Sequence, residues 1–248
     1  MSYTIALTGK GGVGKTTVSA LIIDSLVKAG KTPVLAVDAD SNANLNEALG
    51  IEYESTIGAI REDAKEATKN MPGLSKNEYL DLMVNDSLVE MSGYDLIVMG
   101  RPEGPGCYCY ANNVLRDVIK KISDNYSHVV VDSEAGCEHI ARRTLLSIDL
   151  LLIVSDCSIR GIRTAGRISK LVDDLGTGVI KRGLIINRAM AELTVDIKNA
   201  ISETGLELLG IIPSDESVID NDSKGNGCAI KIPDNAPARE AVKKLLNL

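Results

Sequence analysis

Short apolar runs alternate along the chain with longer segments in which apolar residues recur every three or four positions. The first kind of pattern predicts buried strands, and the second predicts amphipathic helices. The predicted strands are residues 3–8, 33–38, 94–99, 128–132, 149–154, 182–187 and 208–212. The predicted helices are residues 15–29, 110–124, 138–147, 161–175, 194–204 and 235–247. This alternation favours an α/β fold with a mostly parallel, doubly wound sheet flanked by helices.

Residues 52–90 interrupt the alternation because they are polar and charged and contain no clear strand pattern. We interpret them as a helical excursion between two strands. No low-complexity linker or internal repeat divides the sequence. Residues 1–248 are therefore predicted to form a single domain.

Composition excludes some classes of function. Hydrophobic residues make up 44% and charged residues 25% of the chain, which is typical of a globular protein. The formal net charge of −7 argues against a sequence-independent nucleic-acid binder, which usually carries a basic face. No apolar run approaches the ~20 residues that span a bilayer, and the first residues lack the pattern of a signal peptide. We expect a cytoplasmic protein with reduced thiols and with neither a membrane nor a nucleic acid as its partner.

The segment between the first predicted strand and the first predicted helix carries the clearest chemistry. It reads glycine, four residues, then Gly-Lys-Thr, which is the pattern of a phosphate-binding P-loop. In such a loop successive backbone N–H groups point at phosphate oxygens, and the following helix N-terminus adds its own. Lys15 is expected to contact the β- and γ-phosphates of ATP, and the Thr16 hydroxyl to ligate Mg²⁺. The predicted nucleotide-binding residues here are Gly9, Lys10, Gly11, Gly12, Val13, Gly14, Lys15, Thr16 and Thr17.

Acidic residues follow two other predicted strands. Ligands of open parallel sheets bind at the carboxyl ends of strands, so these positions are candidates for chemistry. Asp132 ends an apolar strand, as does the Walker B aspartate that holds Mg²⁺. The next residue is Ser133 rather than glutamate, so we expect Asp40 to position or deprotonate the attacking water. Helix capping or solvation is the alternative role for both carboxylates.

A second lysine, Lys10, lies inside the P-loop, where a generic P-loop does not need one. It could stabilise charge on the transferring phosphoryl group, as an arginine finger does. If it acts on the nucleotide of another subunit, hydrolysis requires a dimer.

The run from Gly9 to Thr17 resembles the deviant Walker A motif of the MinD/ParA/nitrogenase iron protein class of dimeric ATPases. Residues 38–40 and 132–136 resemble switch I and switch II of that class. The resemblance implies a homodimer in which Lys10 reaches across the interface. Residues 185–188 and 210–213 resemble the segments of that class that border the adenine base. Together with the motifs above, the resemblance gives three sets of site residues. Catalysis is assigned to Lys10, Lys15 and Asp40, Mg²⁺ binding to Thr16, Asp38 and Asp132, and contacts around the adenine to Asn187, Arg188 and Pro213.

Cys107 and Cys109 follow a stretch rich in glycine and proline after the strand predicted at 94–99. Two thiolates alone leave Zn²⁺ or Ni²⁺ undercoordinated, whereas a twofold dimer supplies four. Four thiolates would hold zinc tetrahedrally, and nickel more readily in a square plane. The alternative is a pair of buried thiols with no chemical role.

Residues 100–116 and 131–144 closely resemble the CooC family of ATPases, which help to insert nickel into carbon monoxide dehydrogenase. A related protein, AcsF, serves acetyl-CoA synthase. The resemblance implies Ni²⁺ or Zn²⁺ at Cys107 and Cys109 across a dimer, and one of these nickel enzymes as client. The sequence leaves open a role for Cys137 in the metal site, and it favours a structural or surface role for His139.

Two other classes remain as alternatives. One is an ATP-dependent iron–sulfur reductase like nitrogenase iron protein, in which two cysteines per chain hold a shared cluster. In that class the second cysteine falls where this chain has Ala135, which disfavours the cluster. The other is a positioning ATPase of the MinD/ParA type, which acts on a membrane or on DNA. The acidic charge balance disfavours it.

Overall fold

The computed structural model describes residues 2–59, 78, 84–101, 108–136, 147–176, 178–229 and 231–248, with the backbone alone at 108–112. The strands are β1 Tyr3–Gly9, β2 Val34–Ala39, β3 Val89–Met91, β4 Tyr94–Val98, β5 His128–Ser133, β6 Ile148–Ser155, β7 Val179–Ala189 and β8 Leu208–Pro213. The principal helices are α1 Lys15–Lys28, α2 Leu45–Leu49, α3 Tyr108–Ile122, α4 Ile159–Asp174, α5 Val195–Thr204, α6 Glu216–Ser223 and α7 Pro237–Leu246.

All eight strands belong to one sheet, in the order β3-β4-β2-β5-β1-β6-β7-β8. Every neighbouring pair is parallel except β3 and β4. Side chains on the two faces of the sheet pack into two apolar clusters, one against α1 and α7 and the other against α3, α4 and α5. The prediction of a mostly parallel α/β sheet covered by helices on both faces is confirmed.

The register of the central strands brings the predicted site residues to one edge of the sheet. Asp132 of β5 lies opposite Leu7 of β1 on one side and opposite Asp38 of β2 on the other. The chain leaves all three strands at the same end. The P-loop and the acidic segments that follow β2 and β5 therefore meet above the centre of the sheet.

Where the chain is described, the predicted elements agree closely with the observed ones, with two differences. The short antiparallel edge strand β3 begins at residues 89 and 90, which were predicted as the end of a helical excursion, and the chain turns from β3 into β4 at Gly93. The short helices α2 and α6 were not predicted. The helix predicted at 138–147 falls almost entirely, and the excursion at 52–90 largely, outside the described residues. Within the part of the chain that is described, no helix is long and apolar enough to cross a membrane.

A buried arginine fastens the C-terminal helix to the helix that follows the P-loop. Arg239 of α7 is fully buried, and its Nη2 lies 2.7 Å from Asp24 Oδ2 on α1. The same guanidinium donates to the carbonyl oxygens of Ala229 and Ile232 at 2.7 and 2.8 Å. It therefore holds Ala229 and Ile232, which precede α7, in place relative to α1.

Candidate nucleotide site

The P-loop has the shape that phosphate binding requires. At Gly9 a Cβ atom would come within 2.2 Å of the Val154 carbonyl oxygen, so β6 approaches the loop too closely for any other residue. Gly14 has a positive φ of 87° and directly precedes α1. Among the described residues no side chain caps this helix, and its first turn carries no acid. Its first backbone N–H groups are therefore available to an anion.

Lys15 lies where a phosphate chain would meet the acidic residues. Its side chain is buried, and Nζ contacts the carbonyl oxygen of Lys10 at 3.5 Å. Burial lowers the pKa of Lys15, and the nearby carboxylates of Asp132, Asp40 and Glu134 act in the opposite direction. A desolvated ammonium group in this position gains most from an anionic partner such as a phosphate oxygen.

Asp132 and Asp38 form a buried acidic pair across β5 and β2. Asp132 accepts hydrogen bonds from the hydroxyls of Ser19, at 3.0 Å, and of Thr16. Burial nevertheless raises the pKa of Asp132 to about 6. Burial, together with the charge of Asp132, raises the pKa of Asp38 to about 7. The nearby charge of Lys15 lowers the pKa of Asp132 but does not offset the effect of burial.

These residues fit Mg²⁺ bound together with a nucleotide. A carboxylate and a hydroxyl are hard oxygen ligands, and Mg²⁺ on a nucleotide usually takes only one or two protein ligands besides phosphates and water. Thr16 and Asp132 offer that pair. In the described parts of the chain no group of three or more His, Cys, Asp or Glu side chains could hold a metal ion without a nucleotide.

Asp38 also fastens the loop that follows β2. Its Oδ1 accepts the backbone N–H of Asp40 at 3.0 Å, and its Oδ2 accepts that of Leu45 at 2.8 Å. This explains how a buried carboxylate is tolerated there. Its assignment to Mg²⁺ stays a prediction.

Asp40 projects from this loop beside the P-loop and is held by a residue that sequence reasoning missed. Its Oδ1 accepts the backbone N–H and the side-chain Nδ2 of Asn42, at 2.8 and 3.0 Å. Asn42 Oδ1 in turn accepts a hydrogen bond from Arg101 Nη2 at 2.6 Å. An Asp followed two residues later by Asn is a signal for a local side-chain turn, but nothing in the sequence pattern pairs residue 42 with residue 101.

Switch II begins in direct contact with the P-loop. The buried Thr8 hydroxyl donates to the Gly136 carbonyl oxygen at 2.6 Å, and the Gly136 N–H donates to the Gly9 carbonyl oxygen at 3.0 Å. Thr8 was not predicted as a site residue, because a threonine within an apolar strand indicates only a strand. The two bonds connect the segment that follows Asp132 to the start of the P-loop.

The three residues predicted to contact the adenine lie together. Asn187, Arg188 and Pro213 line one cavity of about 290 Å³ that also includes Thr17 at the start of α1. Asn187 Nδ2 donates to the Val13 carbonyl oxygen at 2.9 Å, so the side of the cavity formed by Asn187 is hydrogen-bonded to the P-loop. Other lining residues come from α6, a helix that sequence reasoning missed. Its contributions are Val218, Ile219 and Asp222.

The cysteine predictions fall mostly outside the described residues. This applies to Cys107, Cys137 and His139, and only the backbone of Cys109 is described, in the first turn of α3. The assignment of a metal to Cys107 and Cys109 stays a prediction. Cys228 is buried, as expected for a structural thiol, and burial raises its pKa.

A P-loop between β1 and α1, with buried acids at the ends of β2 and β5, defines a P-loop nucleotide-binding ATPase. The chain belongs to the CobQ/CobB/MinD/ParA nucleotide-binding domain family, whose model matches residues 4–227. It therefore binds ATP and is an ATPase, as sequence reasoning predicted.

Individual relatives extend over nearly the whole chain. An ATP-binding protein without an assigned function from Methanocaldococcus jannaschii is 43% identical over 224 residues, which cover 89% of this chain and 88% of that protein. The carbon monoxide dehydrogenase accessory protein CooC of Rhodospirillum rubrum is 32% identical over 237 residues, covering 90% and 88%. Among solved structures, the MinD cell division protein of Aquifex aeolicus has a TM-score of 0.70 at 26% identity, covering 99% of this chain and 95% of that one.

Proposed function

We propose that this protein is a cytoplasmic, homodimeric, metal-binding ATPase that assists nickel insertion into carbon monoxide dehydrogenase or acetyl-CoA synthase. The observation that carries the proposal is the similarity to the carbon monoxide dehydrogenase accessory protein CooC along nearly the whole chain. The Cys107–Tyr108–Cys109 sequence adds a chemical reason, since paired thiolates bind soft metal ions.

The ATP site performs the first part of the proposed cycle. The P-loop N–H groups and Lys15 bind the phosphates, and the cavity beside Asn187 receives the base. Mg²⁺, held by Thr16 and Asp132, would neutralise charge on the β- and γ-phosphates. Asp40 orients the attacking water beside the Lys15 ammonium.

The dimer supplies what one chain lacks. Lys10 is exposed on the surface of the P-loop, where it is accessible to a second subunit and its nucleotide. Two copies of the cysteine pair likewise bring four thiolates to one Zn²⁺ or Ni²⁺ ion. Closing the dimer on ATP and reopening it after hydrolysis would then change the surroundings of the bound metal, which is the cargo.

Replacement of the thiol pair tests the proposal. Anaerobically purified protein is expected to carry about one Zn²⁺ or Ni²⁺ per two chains. The double variant Cys107→Ser, Cys109→Ser should lose that metal and keep its affinity for ATP, because the P-loop is unchanged. Cys157→Ser is the matched control, since Cys157 is an exposed thiol elsewhere. Unchanged metal content in the double variant, or a brown protein with about four irons per dimer, would contradict the proposal.

A MinD-type positioning ATPase is the second candidate, favoured by the likeness to solved MinD. A membrane-binding protein of this kind needs an amphipathic helix whose apolar side can enter the lipid. In α7 the apolar side is occupied, because Ala238 and Val242 are buried against the rest of the protein. We expect no ATP-dependent pelleting with anionic lipid vesicles, and pelleting would favour the second candidate.

A further inference from the structure

A chain of hydrogen bonds connects Arg101, which follows β4, to Asp40, the candidate water-positioning residue. Arg101 Nη2 donates to Asn42 Oδ1 at 2.6 Å, and Asn42 donates to Asp40 Oδ1 from both its backbone N–H and its side-chain Nδ2, at 2.8 and 3.0 Å. Asp40 Oδ2 takes no part in these bonds. We refer to Arg101, Asn42 and Asp40 as the Arg101 bridge.

Asp40 and Arg101, the two ends of the Arg101 bridge, each follow a buried residue of the sheet closely in the chain. Asp38 and Val98 are register partners on β2 and β4, and the Met99 N–H donates to the Asp38 carbonyl oxygen at 2.8 Å. Asp38 Oδ1 accepts the Asp40 N–H at 3.0 Å. Because both Asp38 and Met99 are fully buried, the backbones that carry Asp40 and Arg101 leave the sheet side by side from fixed positions.

Gly100 sets the direction in which the chain reaches Arg101. Its φ is +64°, and an added Cβ atom would lie 2.5 Å from the Cβ and Oγ1 atoms of Thr56. A second contact holds the residue before Gly100, since the Gly58 N–H donates to the Met99 carbonyl oxygen at 2.8 Å. The turn that aims residue 101 towards Asn42 is therefore packed against a neighbouring segment.

We propose that Arg101 is a positioning residue for ATP hydrolysis, acting on Asp40 through the side-chain amide of Asn42. An amide group is planar, so an arginine that fixes Asn42 Oδ1 also fixes the direction of Nδ2, which donates to Asp40. The guanidinium suits this task because its donors are rigid and its charge strengthens the hydrogen bond. With Oδ1 held in this way, Asp40 Oδ2 would be the oxygen that orients the water. The inference rests on the proposed role of Asp40 in ATP hydrolysis and is independent of the metal chemistry.

Steady-state kinetics of an arginine variant test this inference. Arg101→Met should lower kcat about threefold to tenfold, because a small misplacement of a group that orients a reactant has an effect of at least this size. The KM for ATP should change by less than about twofold, since no residue of the P-loop is altered. Arg101→Lys keeps a cationic donor and should recover part of the loss. Arg163→Met is the matched control, as Arg163 is an exposed arginine on α4 that pairs with Glu203 at 3.8 Å.

A double-mutant cycle separates a relay from two independent effects. If Arg101 acts through Asn42, then Arg101→Met in an Asn42→Ala background should reduce kcat no further. Three results would overturn the inference: an unchanged kcat in Arg101→Met, an equal loss in Arg163→Met, or losses that multiply in the double variant. Because Arg101 and Asn42 are both exposed, these variants are expected to fold as the wild type does.

Discussion

The two lysines of the P-loop have different surroundings, and this difference fits the different roles proposed for them. Lys15 is buried beside Asp132, and burial lowers its pKa. Lys10, five residues earlier, is exposed. A buried ammonium group suits the nucleotide of its own chain, whereas an exposed one can reach the nucleotide of a partner.

The role of Lys10 can be tested by mixing variants. Lys10→Ala should abolish hydrolysis and retain ATP binding, because Lys15 remains. Asp40→Ala should also be inactive, as it loses the group that orients water. If Lys10 acts across the dimer, a mixed dimer of the two variants has one site with both groups intact. An equal mixture should then recover about a quarter of wild-type turnover, since half of its dimers are mixed and each has one working site. An inactive mixture that contains mixed dimers would place Lys10 in its own subunit's site.

At the scale of elements, α6 shows how secondary structure shapes the base cavity. Asp215 precedes this helix, and its Oδ1 accepts the Ser217 N–H at 2.9 Å. Its Oδ2 accepts the Ala238 N–H, at the start of α7, at 3.0 Å. Burial raises the pKa of Asp215, but the hydrogen bonds outweigh it and lower the pKa overall. One carboxylate therefore caps α6 and ties it to α7.

Asp215→Ala is expected to loosen the α6 wall of the cavity. Loss of the cap should destabilise the protein by about 1 kcal/mol. The affinity for ATP should also fall, because Ile219 of α6 lines the base cavity and would no longer be held in position. Thr194→Ala is the control, because it removes a helix cap that does not line the cavity. Thr194 Oγ1 accepts the Ile197 N–H of α5 at a distance of 3.4 Å. Urea unfolding and ATP titration of both variants check this. A similar loss of ATP affinity in both would show that the effect is general rather than local.

The same elements show what the sequence can predict. The P-loop and the apolar strands are local patterns, and the acids that follow β2 and β5 are local too. Continuous apolar runs imply a parallel sheet, and parallel strands bring such acids to one edge. The helix α6 was missed because its eight residues, Glu216–Ser223, are mostly polar and its capping aspartate bonds to a residue 23 positions later. The contact of Arg101 with Asn42 was missed for the same reason, since the two residues are 59 positions apart.

For the whole molecule, the Arg101 bridge is a candidate connection between the two proposed activities. One of its members, Asp40, is the proposed water-positioning residue of the ATP site. Another, Arg101, stands six residues before Cys107 in the sequence. Coupling requires an element whose arrangement both sites influence, and the Arg101 bridge is the candidate that the described residues offer.

The central claim is that this protein is a dimeric ATPase that binds a metal ion. The most direct test is anaerobic size-exclusion chromatography with light scattering, followed by metal analysis of the eluting peak. The protein is loaded with Zn²⁺ or Ni²⁺ and run with and without ATP and Mg²⁺, using Asp40→Ala to prevent turnover. We expect a dimer of about twice the 26.4 kDa chain mass, carrying about one metal ion, and a change in its elution when ATP binds. A protein that stays monomeric with metal and ATP, or a dimer that carries no metal, would contradict the proposed function.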